Sequence, residues 1–401
     1  MPSESQIPIA SQGASKRFAS RLALFYGATF GTIGTHLPFF TVWLKAVGID
    51  AWWIGVIGAV PSLTRFTVLP LVTSLAEKYS LRWALTVTAL ATAAGFAVIG
   101  TQYLPLAVLV AYAVTCCLWT PMMPLTDAYA LRGVARFGLN YGPLRLWGSA
   151  AFVVGALACG LLIDIVAARH LIWIIVSMAV LGAIASLGLQ PLDRPKAPSA
   201  AVHGASALLR DPGFIAIIVA SALTQGSHAA YYTFASITWQ AFGLSGLTIA
   251  GLWVLGVLAE IVVFALSPRF TLSPAMLVVI GALSAVARWL IIAQEPSVAV
   301  LSVVQLAHGL TYGLTQVGTM SLLVRHVPIH IMARGQGYLA ACGGIVTSAA
   351  SILSGMFYAE YGQRVYYAMA AMALVAAVVM WFARGRLIAF SSKADTGSPK
   401  C

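Results

Sequence analysis

Apolar residues run along this chain in blocks closed by short polar stretches, and the blocks approach the ~20 residues that a helix needs to cross a bilayer. They predict twelve helices, over 21–43, 53–76, 82–101, 104–131, 143–165, 169–189, 213–240, 247–268, 273–293, 297–325, 332–358 and 364–386. One connector is long: Gln190–Asp211, rich in Pro, Ala and charge, divides the helices six and six. A faint repeat agrees with that division. The fourth helix ends in Arg132 and the fifth opens with Tyr141-Gly142-Pro143, while the tenth ends in Arg325 and the eleventh opens with Gly335-Gln336-Gly337-Tyr338. The pattern predicts an all-α membrane protein of twelve transmembrane helices in two six-helix halves, an arrangement that describes one large transporter architecture. Its parts are a cytoplasmic segment over 1–20, one half over 21–189, a linker over 190–211, the other half over 212–386 and a cytoplasmic tail over 387–401, of which Ser391–Cys401 reads as polar and disordered.

Polar residues inside the apolar blocks are the candidate machinery, because a charge in hydrocarbon is costly and is retained for function. The segment Trp119–Phe152 carries Asp127 and Arg145 on either side of a polar turn with Arg132, Arg136 and Asn140. A turn centred near Arg136 puts the two charges at equal depth on adjacent antiparallel helices, where they can pair. Arg65 stands near the middle of the second predicted helix, where it needs a wet cavity, a carboxylate or an anionic substrate. Thr29, Thr32 and His36 share one face of the first helix, and Gln225, His228 and Tyr232 one face of the seventh. Gln305, His308, Tyr312 and Gln316 form a polar stripe along the tenth, which lipid would not tolerate. Glu260 is the acid within the spans of the second half, with Arg288 and His308 as its obvious partners. Burial disfavours a carboxylate's charge and a nearby cation favours it, so Glu260 reads as a group able to take and release a proton. The bland alternatives are a static Glu–Arg clamp at Glu260, a fixed pair at Asp127 and ordinary polar packing at His36.

Composition narrows the class. Hydrophobic residues make up 60% of the chain and charged residues only 8%, which excludes an ordinary soluble domain. A net charge of +12 invites a nucleic-acid partner, but the basic residues are spread through short connectors and form no basic face. They concentrate on one side, with only Lys45, Arg169 and Arg364 in the outer loops, so both termini are expected in the cytoplasm. The five cysteines are odd in number and without metal-ligand spacing, so neither a disulfide framework nor a metal is expected. No cleaved leader is read at the N-terminus; the first membrane helix is expected to do the targeting. No phosphate loop, Ser-His-Asp set or HExxH pair sits on a plausible face, so an enzyme is not expected and no cofactor is called for.

The segments Leu37-Pro38-Phe39-Phe40 with Trp43-Leu44-Lys45, Arg65-Phe66, Pro124-Leu125-Thr126-Asp127-Ala128 and Tyr141-Gly142-Pro143-Leu144-Arg145-Leu146-Trp147-Gly148-Ser149 carry a resemblance. Over nearly its whole length the chain resembles the major facilitator superfamily, in the branch containing bacterial phenylpropionate permeases and close to sugar–proton and nucleoside–proton symporters. The superfamily's loop signature after the second helix is degraded here to Glu77-Lys78 and Ser80-Leu81-Arg82. The polar set is also similar to that of lactose permease, with Asp127 and Arg145 where that protein holds its sugar and Glu260, Arg288 and His308 where it has Glu, Arg and His. Thr311 stands where that comparison has a proton-carrying Glu, and Gln305 where it has a Lys.

The resemblance implies a monomeric secondary transporter of the bacterial inner membrane working by alternating access. The expected function is proton-coupled uptake of a small organic solute such as 3-phenylpropionate, with a sugar or nucleoside symporter or an exporter as alternatives. Arg65, Asp127, Arg145, His36, Trp119, His228, Tyr232, Tyr312 and Gln316 are the expected substrate contacts, and Glu260, Arg288 and His308 the expected proton site.

Overall fold

The computed structural model describes residues 12–72, 80–192, 205–328 and 331–396. Glu77-Lys78 of the degraded loop signature, most of the 190–211 linker, and the ends of the two terminal segments lie outside the described residues. The described chain is helical throughout and contains no strand: α1 (Gln12–Ala46), α2 (Ala51–Thr67), α3 (Leu81–Ile99), α4 (Pro105–Trp119), α5 (Met122–Phe137), α6 (Tyr141–Ile163), α7 (Leu171–Leu187), α8 (Pro212–Gly226), α9 (Ala229–Ala241), α10 (Gly246–Leu266), α11 (Pro274–Ile292), α12 (Val298–His308), a π-helical turn (Gly309–Leu314), α13 (Thr315–His326), α14 (Met332–Tyr361) and α15 (Val365–Thr396). Helices satisfy their own backbone groups, which is what a bilayer demands of any spanning segment. Among the described residues, nine stretches are long and apolar enough to cross one. α2 is not among them because it stops at 17 residues.

Large apolar side chains lie on the outside as well as in the core, and many polar ones are buried. Leu24, Leu106, Val154, Ile184, Val303 and Phe382 are exposed, whereas Thr29, Thr35, Ser186, Ser221, His228, Gln305 and Thr319 are buried. Apolar surface outside and polar groups inside is the distribution hydrocarbon solvent selects.

The chain divides into two compact units, Met1–Trp43 with Val68–Ala197, and Leu44–Thr67 with Pro198–Cys401. In the first, α3 packs on α4 and α7, and the Trp43 indole donates to the Arg169 carbonyl oxygen at 3.1 Å. In the second, α11 packs on α15, and α14 on α8. α2 belongs to this unit because it lies along α14, where the Ser348 and Ser351 hydroxyls donate to the carbonyl oxygens of Ala59 (3.1 Å) and Gly55 (3.0 Å).

Several helix boundaries depart from expectation, each for a local reason. The second predicted helix was to run to 76; it is interrupted after Thr67 by a turn at Val68, where the missing N–H of Pro70 breaks the ladder, and is helical again over 69–72, while 73–76 lie outside the described residues. Arg65 sits in the last turn of α2, just before this interruption, and is exposed. Pro121 likewise divides the predicted 104–131 helix into α4 and α5. At its far end α5 continues through Arg136 to Phe137, where Gly138 adopts a left-handed φ of +63° and stops it. The turn is thus centred beyond Arg136, and Asp127 and Arg145 are not at equal depth: Asp127 is ten residues from the end of α5, Arg145 four from the start of α6. The tail was expected to be disordered, yet α15 stays helical to Thr396, since the segment SSKADT holds no helix breaker before Gly397.

Candidate functional site

Two polar centres lie inside the helical units, one in each. The larger is built around Arg288 on α11, which is 1% exposed. Its Nη1 donates to His308 Nδ1 at 2.7 Å and to Thr311 Oγ1 at 3.3 Å, and its Nη2 donates to Gln305 Oε1 at 2.9 Å. Gln305 Oε1 also accepts from the Tyr231 hydroxyl at 2.9 Å. The guanidinium lies 4.6 Å from the Tyr231 ring centre and 4.7 Å from that of Trp289, a cation–π setting that helps hold a charge out of water. Beyond His308, its Nε2 reaches Glu260 Oε1 at 2.7 Å. Glu260 retains 21% side-chain exposure, so the string runs from a sealed cation to a partly accessible carboxylate.

The π turn between α12 and α13 makes this possible. A turn closed by i→i+5 bonds carries an extra residue and rotates the next helical segment by about 100° relative to the α register. It sets Thr311 among His228, Arg288 and His308, with the His228 Nε2 3.0 Å from Thr311 Oγ1. Gly309 is required here by close approach: a Cβ on it would stand 2.6 Å from the Ala259 carbonyl oxygen, next to Glu260. The glycine brings the turn onto α10 and so delivers His308 to the acid.

The second centre surrounds Asp127 on α5. Its Oδ1 accepts from the Tyr26 hydroxyl at 2.6 Å and the Tyr141 hydroxyl at 2.9 Å, while Arg145 Nε stands 3.9 Å away. The expected Asp127–Arg145 pair exists, but at the limit of ion-pair distance, and the phenols hold the carboxylate more closely. Arg145 instead lies over the Phe30 ring at 4.1 Å, its side chain 32% exposed. Nearby in the same unit, His36 is buried among Phe40, Phe96, Tyr112 and Trp119, with Nε2 3.0 Å from the Tyr112 hydroxyl. That is ordinary polar packing, the bland alternative for His36.

The structure brings Glu260, His308 and Arg288 together as expected, but with His308 between the two charges, so the static Glu–Arg clamp does not form. His228 is buried beside them and Tyr312 stacks on His308 at 5.6 Å. Tyr232 stands edge-on to His308, while its neighbour Tyr231 makes the hydrogen bond. Gln316 is half-buried and forms no hydrogen bond among the described residues; Trp119 is half-buried against His36. Arg65 forms neither a hydrogen bond nor an ion pair among them. Sequence reasoning missed Tyr26, Phe30, Tyr231 and Thr311 as site residues. Thr311 had a usable signal, three positions after His308, and Tyr141 had one too, a helical turn before Arg145. No group of three or more His, Cys, Asp or Glu residues that could hold a metal occurs among the described residues.

A model of the MFS_1 like family matches residues 19–369. The chain belongs to this family of major facilitator transporters. It is 33% identical over 372 residues to a protein of Escherichia coli (strain K12) described as a probable 3-phenylpropionic acid transporter, covering 88% of this chain and 95% of that one. It is also 28% identical over 329 residues to the maltose permease of Geobacillus stearothermophilus, covering 80% of this chain and 82% of the permease. In fold it matches the crystal structure of the nucleoside transporter NupG with a TM-score of 0.82 at 15% identity, over 92% of this chain and 99% of that one. Family membership makes this a multi-pass secondary transporter of small molecules and not an enzyme.

Proposed function

We propose that this transporter takes up a small aromatic carboxylate, of the 3-phenylpropionate kind, together with a proton. The observation that carries the proposal is the Glu260–His308–Arg288 string, in which a partly exposed carboxylate ends a hydrogen-bonded line whose other members are sealed from water. Glu260 takes the proton. Asp127 is a poorer carrier, because two phenol donors already converge on one of its oxygens. Arg145 is favoured over Arg65 for the carboxylate, since it is partly exposed, sits over the Phe30 ring and has its guanidinium fork uncommitted to Asp127. Trp119, in the same unit as Arg145, offers a ring surface for an aromatic solute. The description of the E. coli relative supports the choice of cargo.

In this proposal the helices form twelve spans in two six-helix halves, 21–189 and 212–386, which alternate access to the two sides about the 190–211 linker. The protein acts as a monomer in the bacterial inner membrane with the 1–20 and 387–401 segments in the cytoplasm. A second reading, a neutral sugar in place of the acid, is favoured by the maltose permease relative and by the acceptor capacity of Asp127, whose Oδ2 takes no hydrogen bond among the described residues. Uptake into proteoliposomes with an imposed inward proton gradient decides between them. Labelled 3-phenylpropionate accumulation that collapses with a protonophore is expected; accumulation of a disaccharide and not of the acid would replace the aromatic carboxylate with a sugar.

A further inference from the structure

One chemical fact places the hydrogens around Arg288: a guanidinium donates and never accepts. Its Nη1 gives one hydrogen to His308 Nδ1 and the other to Thr311 Oγ1. His308 Nδ1 is therefore bare, and the hydrogen of the neutral ring sits on Nε2, facing Glu260 Oε1 at 2.7 Å. At the other end, His228 Nδ1 lies 3.0 Å from the Thr224 carbonyl oxygen, which only accepts, so this nitrogen carries its ring's hydrogen. His228 Nε2 is then bare and accepts from the Thr311 hydroxyl at 3.0 Å, a shorter contact than the same hydroxyl makes with the His308 carbonyl oxygen at 3.3 Å. Two histidines with ring centres 5.4 Å apart are thus held in opposite tautomers, His308 by Arg288 and His228 by the Thr224 carbonyl.

We propose that His308 is a fixed Nε2–H donor to Glu260 that carries no transported proton, and that Thr311 and His228 are positioning residues that keep it so. The proposal deepens the assignment of Glu260 as the proton site and rests on it. Thr311 acts by accepting the second Nη1 hydrogen, and His228 by holding the Thr311 hydroxyl in place to do so. With both hydrogens pinned, the guanidinium cannot turn away from His308 Nδ1, and His308 cannot swap tautomers. Glu260 can then take a proton on Oε2 while Oε1 keeps its bond, so loading and unloading disturb nothing behind it. His228, at 0% exposure, accordingly belongs to this support and does not touch the solute. The titratable and charged groups around Glu260 are His308, Arg288, Tyr312, Tyr231 and Tyr232, from every element packed against it.

The test is 15N NMR of histidine-labelled full-length protein in lipid nanodiscs, with the two signals assigned through His308→Gln and His228→Gln. It needs no substrate, so a failure of the transport assignment and a failure of this one are separately visible. From mildly acidic to mildly alkaline pH, His308 should stay neutral with its hydrogen on Nε2, and His228 neutral with its hydrogen on Nδ1. Thr311→Val should release His308 into a mixture of tautomers, and Thr311→Ser should restore the single form. An imidazolium or an Nδ1–H form at His308 in the native protein overturns the proposal, as does a Thr311→Val variant whose His308 signal is unchanged.

Discussion

If His308 bridges Arg288 and Glu260, removing either charge strands the other, and the two losses must be coupled. Two 2.7 Å contacts and the width of an imidazole separate Arg288 Nη1 from Glu260 Oε1. At the resulting ~7–8 Å, opposite unit charges attract by about 2 kcal/mol at an effective dielectric of about 20. Arg288→Gln alone removes charge-assisted bonds to three buried acceptors and should cost about 3–5 kcal/mol, the scale for breaking a buried ionic network. Glu260→Gln alone keeps an acceptor for His308 Nε2 but leaves the guanidinium uncompensated. The double variant removes both charges, so it should be more stable than the sum of the singles implies, by about 2 kcal/mol. Reversible denaturant unfolding in detergent, at a pH where Glu260 is ionised, measures the cycle. Additivity within about 0.5 kcal/mol would refute the electrostatic link, whatever the singles do.

The same geometry predicts three further outcomes. Gly309→Ala places a Cβ against the Ala259 carbonyl oxygen, so it should destabilise by about 1–3 kcal/mol, as overpacking does, and depress gradient-driven uptake by parting His308 from Glu260; wild-type thermal stability in this variant would remove the close-approach argument. Tyr26→Phe and Tyr141→Phe each delete one donor to Asp127 and should each lower stability by about 1 kcal/mol in the same unfolding assay. Arg145→Lys keeps the charge but loses the planar fork and the contact with Phe30, so carboxylate affinity measured by competition binding should fall about tenfold, or 1.4 kcal/mol, while Arg65→Lys changes it little.

The all-helical class and the deep polar residues were legible in the sequence because hydrocarbon permits so few alternatives. Glu260, Arg288 and His308 stood out as intramembrane ionisable groups, and they do come together. What the sequence concealed was mostly a matter of register and distance. The Tyr26–Asp127 bond joins residues 101 positions apart, which no local pattern reports. Tyr232 was chosen over Tyr231 because it continued the Gln225–His228 spacing, but the helix breaks at Ser227–His228 and α9 restarts there. The polar stripe on the tenth predicted helix assumed an unbroken α register, and the π turn adds a residue within it. Arg65 was placed by counting along an apolar block, which did not foresee the interruption at Val68, beside Pro70, that leaves it in the last turn of α2.

The most direct test of the account is proton movement itself. Proteoliposomes in lightly buffered medium, without an imposed gradient, would receive 3-phenylpropionate while external pH is followed. The native protein should alkalinise the medium as solute enters, and Glu260→Gln should not, though it should still exchange labelled for unlabelled solute. Solute entry without alkalinisation in the native protein, or alkalinisation that persists in Glu260→Gln, would contradict the assignment of the proton to Glu260.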